Sequence, residues 1–253
     1  MKTAALLIGV NYVKDASCRL NGCWNDAMML YSLLTSTYAF PLDTVQLVLD
    51  NDPNSEKCSK SNIIISLLEL SKKSWSENLD TVVISYSGHG TYIPDRNGDE
   101  MDGRDECLCP SDFRTSGLIK DDDLLCILRT FNPKTRIFIV ADCCHSGTIL
   151  DLPFVIGKNA YTDIRANRDI EQFIVVVSGC IDSQTAAETY DSKMQKYGGV
   201  LTSSLVHILS TNNKIGILDM HRELSETIKS AGYSQIPVVS FSKEPTNNIR
   251  IFA

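Results

Sequence analysis

The sequence has no hydrophobic run long enough to cross a membrane. Its most suggestive N-terminal stretch, Ala4–Val10, is far shorter than the roughly 20 apolar residues a spanning helix needs. Lys2 before that stretch imitates a signal peptide, but no small-x-small cleavage site follows it, so Ala4–Val10 reads as a buried strand. Basic charge is in deficit as well. Lys and Arg total 24 against 31 acids, a formal charge of −7, which argues against a nucleic-acid or anionic-membrane partner. There is no internal repeat and no low-complexity segment, so a solenoid is excluded. No Cys-x-x-Cys pair occurs, which removes a redox dithiol and the usual paired zinc ligands. A phosphatase loop needs Cys-x5-Arg, and counting from Cys143 or Cys144 lands on Ile149 or Leu150. Cysteine itself is not scarce: there are nine, an odd number with no even framework, which reads as reduced thiols in an intracellular, cytoplasmic setting.

What remains is an ordinary globular balance, 43% hydrophobic and 22% charged over 253 residues. Ala4–Val10, Thr81–Tyr86, Arg136–Ala141 and Phe173–Val177 are short, continuous apolar runs, the pattern of strands covered on both faces. Val45–Leu49 and Ile236–Phe241 are shorter strand candidates. Helical periodicity falls between them, at Asn25–Thr37, Asn62–Lys73, Asp121–Arg129, Val200–Leu209 and Leu218–Ala231. Alternating strands and helices predict an α/β fold with a mostly parallel sheet and helices on both faces. Pro94–Asp112, dense in acids, and Pro153–Ile170 read as loops. The sheet is expected to run through 1–253 as one domain, with a larger portion (1–152), a connecting loop (153–170) and a smaller portion (171–253).

Ligands of such sheets sit beyond the carboxyl ends of the strands. Thr81–Tyr86 runs into Ser87-Gly88-His89-Gly90, and Arg136–Ala141 runs into Asp142-Cys143-Cys144-His145-Ser146-Gly147. A histidine or cysteine alone after a strand is more often structural. Paired at two neighbouring strand ends, each flanked by glycine, they suit a Cys–His hydrolase. The backbone N–H groups of Gly90 and Cys144 are then candidates for an oxyanion hole. His207 and His221 fall inside helical patterns and are assigned to packing or surface.

These motifs, in order with Ala5-Leu6-Leu7-Ile8-Gly9-Val10-Asn11-Tyr12, Leu20-Asn21-Gly22-Cys23-Trp24-Asn25-Asp26-Ala27, Asp121-Asp122-Asp123-Leu124, Ser178-Gly179-Cys180 and Gly198-Gly199-Val200-Leu201-Thr202, resemble the metacaspases. The resemblance implies a caspase–hemoglobinase-like α/β fold of about six or more central strands. It implies a cysteine endopeptidase with His89 and Cys144 as its dyad, Cys143 filling a variable position. In extended chain, Asp142 and Cys144 would share a face, and Cys143 would point into packing. The resemblance also implies cleavage after Arg or Lys, with Cys23, Asp26, Ser87 and Asp142 lining the first specificity pocket. Asp26 could instead serve only the helix dipole.

The resemblance further implies calcium held by Asp105, Asp121, Asp122 and Asp151. Asp95, Asp99, Glu100 and Asp102 are left as solvated surface, and an EF-hand fails because Glu100 stands where that loop needs glycine. Asp123 replaces the family's usual glutamate and is not taken as a ligand. The catalytic chain starts almost at Met1, so no recruiting prodomain is expected, and the short connector suggests switching mainly by calcium. Lys158, Arg165, Arg168, Lys193 and Lys196 are candidate self-cleavage points, since basic residues in loops suit the pocket. Protein or peptide substrates and a monomeric chain are expected. The rival reading is a catalytically silent scaffold of the same fold.

Overall fold

The computed structural model describes residues 1–52, 54–95, 103–144, 146, 149–156, 161–162, 170–179, 188–191, 196–245 and 249–252. In chain order the elements are β1 (Thr3–Gly9), α1 (Cys23–Ser36), β2 (Val45–Leu49), α2 (Lys60–Ser76), β3 (Thr81–Ser87), β4 (Gly90–Pro94) and β5 (Arg104–Leu108). There follow α3 (Phe113–Ser116), β6 (Ile119–Lys120), α4 (Asp121–Leu128), β7 (Arg136–Asp142), β8 (Phe154–Ile156) and β9 (Tyr161–Thr162). The chain closes with β10 (Phe173–Ser178), β11 (Glu188–Asp191), β12 (Lys196–Gly199), α5 (Val200–Thr211), α6 (Ile217–Ser230) and β13 (Val238–Phe241).

The main sheet has eight strands in the order β2-β1-β3-β7-β10-β13-β8-β9. The first five of these run parallel, and β13, β8 and β9 each pair antiparallel with the strand before them. The two-residue alternation of strands explains why these runs look continuously apolar. On β1, Ala4, Leu6 and Ile8 pack beneath α2 and α4, with Ile63, Leu67, Leu125 and Leu128. Ala5 and Leu7 point the other way, toward Leu30 and Leu34 of α1, Leu205 of α5 and Leu224 of α6. Both faces are therefore core, and burying each such Leu or Ile contributes about 1.5–3 kcal/mol. The same parity governs the strand ends. On β3, Tyr86 belongs to the α2/α4 face, while Val83 lies on the α1/α5 face, the side toward which Ser87 points. On β7, Phe138 and Val140 lie on that α1/α5 face, and Asp142 continues their row.

Three parts of the fold depart from the sequence expectation. The acid-rich segment Pro94–Asp112 contains β5, which pairs with β4 and β6 in a separate three-stranded sheet. Its charges disguise it, because Asp105 and Glu106 are both buried. The connector Pro153–Ile170 contributes β8 and β9 to the main sheet; at three and two residues they are too short to show a period. The hairpin of β11 and β12 is a third element outside the expected strands. β13 starts after Pro237, since proline has no N–H to give the ladder. Strands of the larger portion and of the smaller portion, β7 and β10, lie side by side in one sheet.

Candidate active site

β3 and β7 are adjacent and parallel, and Ser87 is in register with Asp142. His89 and Cys144 each lie two residues beyond that pair, so the two chain ends meet at one rim. The contact is tight. A Cβ added to Gly90 would overlap the carbonyl oxygen of Cys144 and stand 3.2 Å from Cys143 Sγ, so only glycine allows this approach. β7 ends at Asp142, so the expected strand alternation stops before Cys144. Cys143 is nevertheless buried in the core, and Cys144 is half-buried.

The His89 ring is held at one nitrogen. Its Nε2 lies 2.7 Å from the carbonyl oxygen of Cys18. A carbonyl only accepts, so Nε2 carries a proton and the neutral ring keeps Nδ1 as its acceptor. The main chain is held too: His89 N–H donates to Tyr12 Oη at 2.8 Å, and Cys109 N–H donates to His89 O at 3.1 Å. That last bond, with Gly90 opposite Leu108, makes Gly90 a non-hydrogen-bonded position of the β4–β5 ladder. Its own N–H therefore points out of the ladder.

Of the four residues expected around the first pocket, Asp26, Ser87 and Asp142 sit close together on the α1/α5 side. Ser87 Oγ donates to Asp26 Oδ2 at 2.6 Å, and Gly199 N–H donates to Asp26 Oδ1 at 2.8 Å. Asp142 Oδ2 accepts from both the N–H and the Oγ1 of Thr202, at 3.0 and 2.8 Å. Asp26 and Asp142 are only 2% and 6% exposed, so these donors replace the water that an ionised carboxylate requires. Cys23, also buried, opens α1, with its N–H on Asn11 Oδ1 at 3.0 Å. Gly199 and Thr202 were not singled out from sequence. Their signal was the Gly-Gly-x-x-Thr run at the start of a helical pattern.

Among the acids, one carboxylate oxygen each of Glu106, Asp121 and Asp151 lie within 4.8 Å of one another. Three hard oxygen donors at that spacing fit a calcium-type cation in chemistry. Asp105 Oδ2 lies 2.5 Å from Lys120 Nζ, and the residue of β5 that joins Asp121 and Asp151 is its neighbour Glu106, on the opposite face of the strand. Asp122 follows Asp121 at the start of α4, and its N–H donates to Asp121 Oδ1 at 2.9 Å. Burial first, then the negative charges of Asp121 and Asp105, push the nearby Cys107 thiol up to about 12. Asp151 and its neighbour Leu150 both have left-handed backbones, φ 43° and 75°. Lys158, Arg165, Arg168 and Lys193 lie outside the described residues, as do Asp99, Glu100 and Asp102; Lys196 opens β12. Among the described residues no helix is long and apolar enough to cross a membrane.

Comparison with known proteins finds relatives in sequence and in fold. A solved structure of a protein from Geobacter sulfurreducens is similar in fold, with a TM-score of 0.69 at 23% identity, covering 100% of this chain and 98% of that one. Metacaspase-2 of Trypanosoma brucei brucei is 32% identical over 257 residues, covering 94% of this chain and 73% of its own. Metacaspase-1 of Arabidopsis thaliana is 34% identical over 197 residues, 73% of this chain and 53% of its own. A protein named inactive metacaspase-4, from Trypanosoma brucei brucei, is 30% identical over 267 residues, 98% of this chain and 74% of its own. The family model described as metacaspase, peptidase C14 domain, matches residues 3–153. With the caspase-like α/β sheet in place, the chain belongs to the metacaspases, cysteine-type endopeptidases of the hydrolase class.

Proposed function

We propose that this chain is a calcium-dependent endopeptidase that cleaves proteins or peptides after Arg or Lys, with Cys144 as nucleophile and His89 as general acid and base. The observation that carries it is the register of Ser87 with Asp142, which brings His89 and Cys144 to one rim beside two buried carboxylates. Cys144 sulfur attacks the carbonyl carbon, and the developing oxyanion is met by the N–H groups of Gly90 and Cys144. The imidazole, having taken the thiol proton, gives it to the leaving amine as the C–N bond breaks. His89 then takes a proton from water, whose oxygen displaces sulfur from the acyl-enzyme. Throughout, Nε2–H on Cys18 O keeps the ring in one orientation.

A guanidinium or ammonium on the substrate would meet Asp26 and Asp142, with Cys23 and Ser87 forming the adjoining wall. A cation among Glu106, Asp121 and Asp151 would offset the repulsion of three carboxylates and fix the segment that follows Cys144. Asp105 and Asp122 are chain neighbours of Glu106 and Asp121 and add two further carboxylates beside that trio. Self-cleavage at Lys158, Arg165, Arg168, Lys193 or Lys196, a monomeric state and a cytoplasmic location belong to the same reading. The test is hydrolysis of an arginyl peptide amide, with and without calcium chelator. Cys144→Ala and His89→Ala are each expected to abolish turnover; wild-type rates in either would overturn the dyad. A peptidyl-arginine electrophile that fails to label Cys144 would point to a silent scaffold instead.

A further inference from the structure

Tyr12 touches His89 twice, at the backbone and at the ring face. Its Oη accepts the His89 N–H at 2.8 Å. Its ring centroid lies 4.7 Å from that of the imidazole, with the planes 35° apart. We propose that Tyr12 is a positioning residue that aims the His89 imidazole at Cys144. The inference rests on His89 being the acid–base group.

The hydrogen bonds around the phenol close completely. Tyr12 Oη lies 2.6 Å from Cys109 O and donates there while accepting from His89. Tyr86 Oη lies 2.7 Å from the same carbonyl, 3.1 Å from His89 O and 3.2 Å from Tyr12 Oη. Each phenol has one proton to give, and the carbonyl of Cys109 has two lone pairs to receive them. Burial pushes both hydroxyls well above the usual range, so they remain protonated donors.

Tyr12 is itself forced into place. Its φ is +55°, the left-handed region that a bulky side chain adopts only when its surroundings dictate it. The dictating group is Asp50. Its carboxylate accepts Asn11 N–H at 2.8 Å and Val13 N–H at 3.2 Å, one on either side of Tyr12, and also Trp24 Nε1–H at 2.7 Å. Phe113 closes the far side edge-on, with centroids 6.1 Å apart. An unfavourable backbone is thus held so that one aromatic ring faces the imidazole. Such pre-set geometry is what a proton-transfer group needs, and a displacement of about 1 Å costs on the order of 100-fold in rate.

The experiment compares Tyr12→Phe, which keeps the ring and removes the acceptor, with wild type on an arginyl peptide amide at saturating calcium. Rates are normalised to titrated active sites, so misfolded protein does not count. The expected result is a fall in kcat of about 10- to 100-fold, with KM within about twofold. A kcat equal to wild type overturns the proposal, as does an equal loss in kcat/KM carried by KM alone. His89→Ala is run beside it: if that variant keeps wild-type activity, the reading of His89 has failed, and the role of Tyr12 falls with it. A second measurement needs no Tyr12 variant. In isotope-labelled Cys144→Ala protein, the His89 ring protons should be ring-current shifted and its amide slow to exchange. Unshifted ring protons would overturn the proposal even if Tyr12→Phe could not be purified.

Discussion

Gly199 donates its backbone N–H to Asp26 Oδ1 at 2.8 Å, across 173 positions of sequence. Three residues later, Thr202 holds Asp142. One corner, where β12 turns into α5, therefore holds both buried carboxylates. A Cβ at Gly199 would overlap the Asp142 carboxylate. Gly199→Ala is expected to lower kcat/KM for arginyl substrates by about 100-fold, within the 1–3 kcal/mol range for displacing a buried hydrogen-bonded group. Steady-state kinetics on one peptide series checks it.

Thr202→Val separates the two bonds to Asp142, because it keeps the N–H and removes Oγ1. A loss of about 1–2 kcal/mol, roughly tenfold in kcat/KM, is expected, with Thr202→Ser restoring most of it. If Thr202→Val matches wild type, the hydroxyl contributes nothing to the pocket.

Asp26→Asn keeps the shape and an acceptor for Gly199 but removes the charge. Charge-assisted hydrogen bonds exceed neutral ones, so the preference for Arg and Lys over an uncharged residue should fall at least tenfold. A peptide library read with and without the substitution measures this directly.

Substitutions at Glu106 and Asp105 should affect calcium binding differently. Glu106 belongs to the trio with Asp121 and Asp151, whereas Asp105 is paired with Lys120. Glu106→Gln should therefore raise the half-saturating calcium concentration more than Asp105→Asn does, read by calorimetry as well as by activity. Calcium at 100 times its Kd should stabilise the wild-type fold by about 2.7 kcal/mol, or roughly 5–10 °C in Tm. No rise in Tm would remove the cation from the account.

Alkaline pH should unfold the chain through its buried thiols. Burial pushes the Cys107 and Cys109 thiols up from 9.0 to about 12. A raised folded value means the stabilisation is complete below the unfolded value and is lost as pH climbs from there toward the folded one. Tm should therefore decline between about pH 9 and 12, less steeply in Cys109→Ala. A slope unchanged by that substitution would show that other groups dominate.

The parallel core and the two strand-end motifs were legible because their signals are local: apolar runs of strand length and glycine-flanked His89 and Cys144. The pocket and the acidic trio depend on pairings between distant segments. Asp26 meets Gly199 only because α1 and α5 share a face of the sheet. Glu106 was hidden because one residue of strand register decides whether it or Asp105 faces α4. Tyr12 closed a family-like motif, but nothing local marked its role: its left-handed backbone is set by Asp50, just past the end of β2. β8 and β9 were too short to declare themselves.

The placement of β8 has a consequence for any chain cut in the connector. Val155 pairs with Ser240, and Phe154 with Phe241, so β8 is hydrogen-bonded to the C-terminal β13. A break at Lys158, Arg165 or Arg168 would leave β8 on one fragment and β13 on the other. The two pieces would separate on a denaturing gel yet migrate together under native conditions. Scission there would act as the release of a tether, not as the departure of a subunit.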